Sequence, residues 1–380
     1  MFQEFSSINW KPFLLLFCLI LCLVWANSGS PGKAENTIFK QYIRYYTGNG
    51  TLSVTGGDLD GDGDIDLATA NLKTSEVSVF INKGNGGFSG GSKYAVSNGP
   101  LAMQMGDLDG DGDVDLAVLC LSASKISILL NRGTSSLTVA ASYDVSGSPS
   151  DLCMGDFNSD GKLDLATANS NSADLALFLN KGRGVFGKGA RIALPGKPFR
   201  ILCGDFNGDS KADLAAVSIK SLYVLINSGS EPYFSDQKSY DAGRGIQAIT
   251  AGNFNDDGSM DLAVVNATSD LWIFFNKGNG EFQGKSGLKA GEYPHFLAVL
   301  DINRDSRSDL VAANKKSKDL SVFINLGDGE FDKEIRYDLR TEPSAMYAAD
   351  LDSDGEVADL AVVSTSSGDL AILIGTYGKK

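Results

Sequence analysis

The sequence has very little that speaks for enzyme chemistry at first sight. It contains a single histidine, His295, five cysteines and nine prolines in 380 residues. No His/Cys cluster with zinc or copper spacing is present, which disfavours those metals. No nucleophile-elbow motif is present either, which weakens an acyl-transfer reading. Basic charge is also short, with 33 Lys and Arg against 47 Asp and Glu. Phosphate-backbone binding needs a basic stripe, so nucleic acid is not expected as a partner. No stretch reads as a long amphipathic helix. The only long apolar run, residues 13–24, follows Lys11 and precedes Trp25, Ala26 and a Ser/Gly/Pro stretch. It is short for a membrane span and fits a signal-peptide core with cleavage after Ala26. Residues 1–26 are therefore expected to be a signal peptide and 27–36 a linker. The expected location is secreted, periplasmic or cell surface, with no membrane insertion after cleavage; an uncleaved anchor is the alternative.

Of the cysteines, Cys18 and Cys22 fall in that leader. Cys120, Cys153 and Cys203 sit in apolar strand-like runs and read as buried small hydrophobes rather than a disulfide framework. A bridge between neighbouring repeats stays open.

What the sequence has in abundance is one phrase. It reads Asp58-Leu-Asp-Gly-Asp-Gly-Asp-Ile-Asp66, and its copies begin at Asp107, Asp156, Asp205, Asn253, Asp301 and Asp350, at intervals of 49, 49, 49, 48, 48 and 49 residues. A fixed period of this length signals a repeat architecture. Within one period, residues 52–57 and 66–70 read as strands flanking the acidic loop. Residues 76–81 alternate as a third strand, and 88–96 form a fourth after an Asn/Gly-rich turn. Four antiparallel strands per repeat match a β-propeller blade. A large apolar residue stands 19 positions before each acidic loop: Phe39, Phe88, Leu137, Phe186, Phe234, Phe282 and Phe331. This position is expected to be a packing anchor between blades.

The last repeat ends after its third strand, and a fourth strand without a blade stands at residues 37–46. The expected fold is therefore all-β: a seven-bladed β-propeller over residues 37–376, its ring closed by the N-terminal strand. Closure of this kind removes the open edges an unclosed array would leave.

The acidic loops define the candidate metal sites. Counting Asp58 as position 1, positions 1, 3, 5 and 9 are Asp58, Asp60, Asp62 and Asp66, and position 6 is a glycine that permits a sharp turn. Alternate oxygens around a curled loop suit Ca²⁺, a hard cation that takes about six to eight oxygen ligands, with the position-7 carbonyl (Asp64) as one more. An EF-hand would need a Glu at position 12 and flanking helices; here position 12 is Thr69 and the flanks alternate like strands. The second loop repeats the set with Asp107, Asp109, Asp111, Asp113 and Asp115. The third has Asp156, Asn158, Asp160, the Lys162 carbonyl and Asp164. The fourth has Asp205, Asn207, Asp209 and Asp213, with Ser210 in place of the glycine. The fifth has Asn253, Asn255, Asp257 and Asp261. The sixth has Asp301, Asn303, Asp305 and Asp309, with Ser306 at the turn and Arg304 and Arg307 beside it. The seventh has Asp350, Asp352, Asp354 and, after one extra residue, Asp359. Fewer charges weaken Ca²⁺ binding. The first three loops are expected to bind best and the fifth and sixth worst; the seventh stays open.

These residues resemble the FG-GAP (VCBS-type) repeat, the repeat of integrin α-subunit propellers. The resemblance rests on the run from Gly155 to Ala166 and the turn from Asn276 to Phe282, and it covers essentially all of 37–376. It implies a seven-bladed propeller with Ca²⁺ in the loops between first and second strands. The departures are Ser210, Asn253, Ser306 and the insertion before Asp359. The family spans adhesion receptors, lectins and domains of polysaccharide-processing enzymes, and fold does not choose among them.

Strand directions place the acidic loops on one rim. The opposite rim is more basic, with Lys197, Arg200, Lys220, Arg244, Lys315, Lys316, Lys318 and Arg340, and also carries Tyr293 and His295. Arg200, Arg244, Tyr293 and His295 are the candidate ligand-binding residues, since exposed propeller loops carry function. The expected function is a binding or adhesion module for a glycan or extracellular protein; the alternative is a polysaccharide lyase or hydrolase on the same scaffold. Asn49 and Asn266 head N-glycosylation sequons.

Overall fold

The computed structural model describes residues 38–376; the signal-peptide and linker assignments lie outside them. The described residues form seven four-stranded antiparallel sheets and one small two-stranded ladder, Asn325–Gly327 with Glu330–Phe331. Strands are named A to D from the innermost outward. Blade 1 is Thr51–Gly57, Asp66–Asn71, Glu76–Phe80 and Ser92–Ala95. Its successors open with strands A at Pro100–Gly106, Pro149–Gly155, Arg200–Gly204, Ile246–Gly252, Pro294–Leu300 and Ala345–Ala349. Each strand A touches the next around the ring, including Ala345–Ala349 against Thr51–Gly57.

Blade 7 takes its outer strand from the other end of the chain. Its order is Phe39–Tyr46, Asp369–Gly375, Asp359–Ser364, Ala345–Ala349. The register runs from Phe39 opposite Gly375 to Tyr46 opposite Asp369, with one irregularity between Lys40 and Ile43. Backbone bonds tie both ends of the strand: Thr376 N donates to Ile38 O and Thr47 N to Gly368 O, both at 2.9 Å. The Arg44 guanidinium reaches Asp369 at 3.0 Å. The expected ring closure is therefore present.

Burial follows strand order for a plain reason. Strands B, such as Asp66–Asn71 and Asp164–Asn169, are buried at every position because neighbouring blades cover both faces. Strands D, such as Thr138–Asp144, face solvent on the outside. The core is a ring of apolar clusters between blades. Phe88 packs with blade 7, Phe186 with blade 2 and Phe282 with blade 4. Six of the seven anchors are buried, and Phe331 is half-buried against the blade 5–6 cluster. At three seams a tyrosine hydroxyl of the preceding blade accepts the anchor's N–H: Tyr45 for Phe88 at 2.8 Å, Tyr143 for Phe186 at 3.0 Å and Tyr240 for Phe282 at 3.1 Å.

Two local expectations change. Strand D of blade 1 starts at Ser92 rather than Phe88, which makes only an isolated bridge to Asn82. Cys153 and Cys203, one blade apart, form a disulfide with Cα atoms 6.0 Å apart, so they are not simple buried hydrophobes. Cys120 is buried and free.

Candidate metal loops and central cavity

The loops between strands A and B all curl the same way, and their hydrogen bonds show how. In blade 1 the Asp58 carboxylate accepts the N–H groups of Gly61 (2.7 Å), Asp62 (3.2 Å) and Gly63 (2.9 Å). This arrangement closes the loop and leaves the position-3 and position-5 side chains converging from the same side. Position 6 needs a left-handed backbone: φ is 92° at Gly63 and 94° at Gly112. Ser210 and Ser306 hold the same conformation at φ 65° and 67°, so the turn survives the loss of glycine at the cost of strain.

Position 9 has a different character from its neighbours. Asp66 is fully buried, and both its oxygens are engaged by backbone: Leu59 N donates to Oδ2 at 2.8 Å and Asn82 N to Oδ1 at 2.7 Å. Asp115, Asp164, Asp213, Asp261 and Asp309 repeat the arrangement, and Asp359 keeps it despite the extra residue, bonding Leu351 N and Gly375 N. Burial pushes each of these seven carboxyls up to about 6, against the pull of those backbone donors. Position 9 is thus first a staple that ties the loop to the end of strand C.

Three carboxylates with oxygens within 4.8 Å of one another occur, among the described residues, at Asp58, Asp60 and Asp62, at Asp107, Asp109 and Asp115, and at Asp350, Asp352 and Asp354. Such a set suits a hard divalent cation. Asp60 Oδ1 is buried without a hydrogen-bond partner, as a waiting ligand atom would be. Desolvation, and after it the charge of Asp62, raises the Asp60 carboxyl; desolvation and Asp111 do the same to Asp109. Crowded like charges of this kind are relieved by a bound cation. The residues therefore fit the metal that the sequence implies.

The other loops carry their own cations. Lys162, placed among the ligands for its carbonyl, turns its ammonium onto Asp160 at 2.9 Å, and Lys211 does the same to Asp209 at 2.6 Å. In loop 6, Arg304 reaches across to Asp354 of loop 7 at 2.6 Å, and Arg307 reaches Asp256 of loop 5 at 3.0 Å. In loop 5 the Asn255 side-chain amide donates a hydrogen bond to Asp257 at 2.8 Å. Sequence reasoning did not single out the asparagine closing strand C. The Nδ2 of Asn131 donates to Leu59 O at 2.6 Å in the loop of the preceding blade. Asn82, Asn180, Asn227, Asn276 and Asn325 latch five of the other six seams in the same way. The signal was an Asn recurring 22–24 residues after position 1.

Of the four ligand-binding candidates, two face a common space and two do not. The seven strands A enclose a central cavity of about 310 Å³. Arg200 and His295 line it, together with Asp151, which sequence reasoning missed because it stands in an apolar strand. Arg244 is exposed on the rim, and Tyr293 is exposed there with its ring stacked 6.4 Å from that of His295. His295 Nδ1 donates to Gln247 Oε1 at 3.4 Å. Burial, and then the charges of Arg200 and Lys315, lowers His295 to about 4, so the imidazole is neutral at pH 7. Of the two sequons, Asn266 is buried, its side chain bonded to Thr268 and Asp270.

Fold and loops together define a closed seven-bladed propeller with an acidic loop in every blade. The description "FG-GAP-like repeat" matches at residues 58–118, 107–167, 156–216, 205–264, 253–312 and 301–362, and the chain belongs to this repeat family. No curated protein matches the sequence significantly. Among solved structures, BBS1N in complex with ARL6DN aligns with a TM-score of 0.66 and 13% identity over 89% of this chain and 97% of that one. An Agrocybe aegerita lectin, described as recognising non-reducing terminal N-acetylglucosamine, aligns with a TM-score of 0.57 and 16% identity over 88% and 85%. A streptogramin B lyase aligns with a TM-score of 0.62 and 15% identity over 90% and 100%. At these identities the likeness is one of fold.

Proposed function

We propose that the protein is a secreted or cell-surface propeller, stabilised by Ca²⁺ in its acidic loops, that binds a glycan or an extracellular protein. The observation that carries the reading is the separation of the two rims. The acidic loops occupy one. On the other stand exposed side chains such as Lys197, Lys220, Arg244 and Tyr293, well removed from the carboxylate clusters. An inter-blade disulfide supports an oxidising compartment. The lectin and BBS1N, as fold relatives that bind a sugar and a protein, support a binding role; the lyase keeps the enzymatic alternative in the test. The experiment is a glycan and extracellular-protein screen with Ca²⁺ and with chelator, run beside a turnover assay on the same polysaccharides. Binding that falls with chelator and with Arg244→Ala, without turnover, is the expected result. Turnover lost on a single substitution while binding persists would replace this reading with the enzyme.

A further inference from the structure

The central cavity is not an ordinary propeller channel wall. Strands A run toward the acidic loops, and none of the residues lining the cavity lies in the last two positions of those strands. It therefore occupies the end of the channel away from the metal loops. Much of its wall is apolar, and Phe296 and Tyr347 are its aromatic residues. Its Asp, Arg and His side chains come from blades 3, 4 and 6, and Tyr347 brings a phenol from blade 7. Asp151 and Arg200 hold the same position in adjacent strands, five residues before their loops, and His295 lies two blades further round.

The polar groups of the wall divide into committed and uncommitted. Gln104 Nε2 donates to Leu152 O at 3.2 Å, and the Tyr347 hydroxyl to Gly56 O at 3.1 Å. The Asp151 oxygens each accept one backbone N–H, from Leu152 at 3.0 Å and Ile201 at 3.1 Å, and keep lone pairs for a further donor. Arg200 Nε, in contrast, is buried with no hydrogen-bond partner. A buried guanidinium N–H left unmade is costly, and a carboxylate is the group whose geometry matches the guanidinium fork. Asp151 does not meet that need in place: burial raises its carboxyl, and the nearby Arg200 charge only partly offsets this. A small anion without a hydroxyl would satisfy Arg200 but leave the remaining Asp151 lone pairs without a donor. A ligand bearing a carboxylate together with hydroxyl groups satisfies both. Gln247 Nε2 donates to Gly245 O at 3.2 Å, which turns Oε1 toward His295 Nδ1 and leaves Nε2 of the imidazole as an acceptor for a hydroxyl. The volume is at the small end of the range of about 300–1,000 Å³ for ligand pockets, the scale of a sugar ring.

We propose that the cavity binds a hexuronic acid, free or at the end of a chain, with its carboxylate on Arg200, its hydroxyls on Asp151 and His295, and its ring against Phe296. The proposal rests on the glycan-binding reading and names the class of sugar.

The test is calorimetric titration of the protein with glucuronate, galacturonate, trigalacturonate, glucose, galactose and acetate, for the wild type, Arg200→Gln and His295→Gln. The expected result is binding of at least one uronate, at least tenfold weaker binding of its neutral twin and of acetate, and at least a tenfold loss in Arg200→Gln at unchanged melting temperature. Binding of the trimer alone would identify a chain end, and of the monosaccharide alone a free sugar; both support the site. If Arg200→Gln destabilises the fold, uronate-dependent shifts of the Phe296 ring resonances in the wild type replace it as the readout. Equal affinity for uronate and neutral sugar, equal affinity for acetate, or no binding of any uronate overturns the proposal. A positive screen on the exposed rim with no uronate in the cavity leaves the general binding role standing and sinks this site alone. Uronate binding in the cavity with a negative rim screen supports this site and removes the exposed rim, with Arg244, as the contact surface.

Discussion

Position 9 of each loop is a carboxylate that the backbone already engages, in loop 2 one that also converges with Asp107 and Asp109. Asp115 accepts N–H groups from Leu108 and Asn131 at 2.8 Å each, whereas Asp111 is exposed in the loop. Removing Asp115 strands two buried donors, each worth about 1–3 kcal/mol when unsatisfied. Asp115→Ala is therefore expected to destabilise the protein by about 2–4 kcal/mol even in chelator. Asp111→Ala should lower stability only when Ca²⁺ is present. Paired denaturant melts with and without chelator check this. His295 gives the pH prediction. Its value in the folded protein is about 4, below the ordinary 6.5, so between those values the unfolded chain binds the extra proton. Its contribution to stability is complete above pH 6.5 and is lost as pH falls toward 4. His295→Gln should accordingly gain stability relative to the wild type as pH falls from 7 to 4, on top of the opposite drift that the seven raised carboxyls give both proteins. An identical pH dependence in the two proteins would show that the imidazole is not buried.

At the scale of the loop, strain and resident cations decide how well each copy works. Ser210 sits at φ 65° where Gly63 and its counterparts pay nothing, so Ser210→Gly should stabilise by about 1 kcal/mol, measured as a shift of the denaturation midpoint. Arg304 is paired with Asp354, one of the three converging carboxylates of loop 7. An exposed pair is worth about 0.2–1 kcal/mol, so Arg304→Gln should tighten Ca²⁺ at that loop by up to about fivefold in a calcium titration. Much at this scale was legible in the sequence, because each loop is a contiguous phrase whose turn glycine and alternating oxygens announce their geometry. The ammonium of Lys162 on Asp160 was not, since charge partners two residues apart meet only when the loop curls. The convergence of loop 7 was hidden by its extra residue, which falls between Gly355 and Asp359 and leaves the three carboxylates undisturbed. The sequence left the Cys153–Cys203 pairing open and offered Arg200 and His295 without Asp151 or their common cavity, for one reason. Their members come from different blades, and no single strand shows that it faces its neighbour.

The ring as a whole depends on the short strand Phe39–Tyr46. It supplies the outer edge of blade 7, places Ile38 and Phe39 in the cluster between blades 6 and 7, and sets the Tyr45 hydroxyl under the Phe88 N–H of blade 1. The seam between blades 6 and 7 has particular need of it. The residue closing strand C of blade 7 is Gly375, which has no side-chain amide to latch the blade 6 loop as Asn131 and its counterparts do elsewhere. A protein starting at residue 37 should melt as the longer chain does. One starting at residue 48 loses the strand, exposes the backbone edge of Asp369–Gly375, and opens two apolar seams at once. An unpaired edge of that kind pairs with other chains. The expected outcome is association by light scattering and a broadened, lower-temperature melt, both reversed when a synthetic peptide of residues 37–47 is added in excess. The peptide restores the edge by strand addition, which tests the closure itself and not merely the loss of residues. A protein lacking the strand that stayed monomeric with an unchanged melt would show that the blades hold the circle without it.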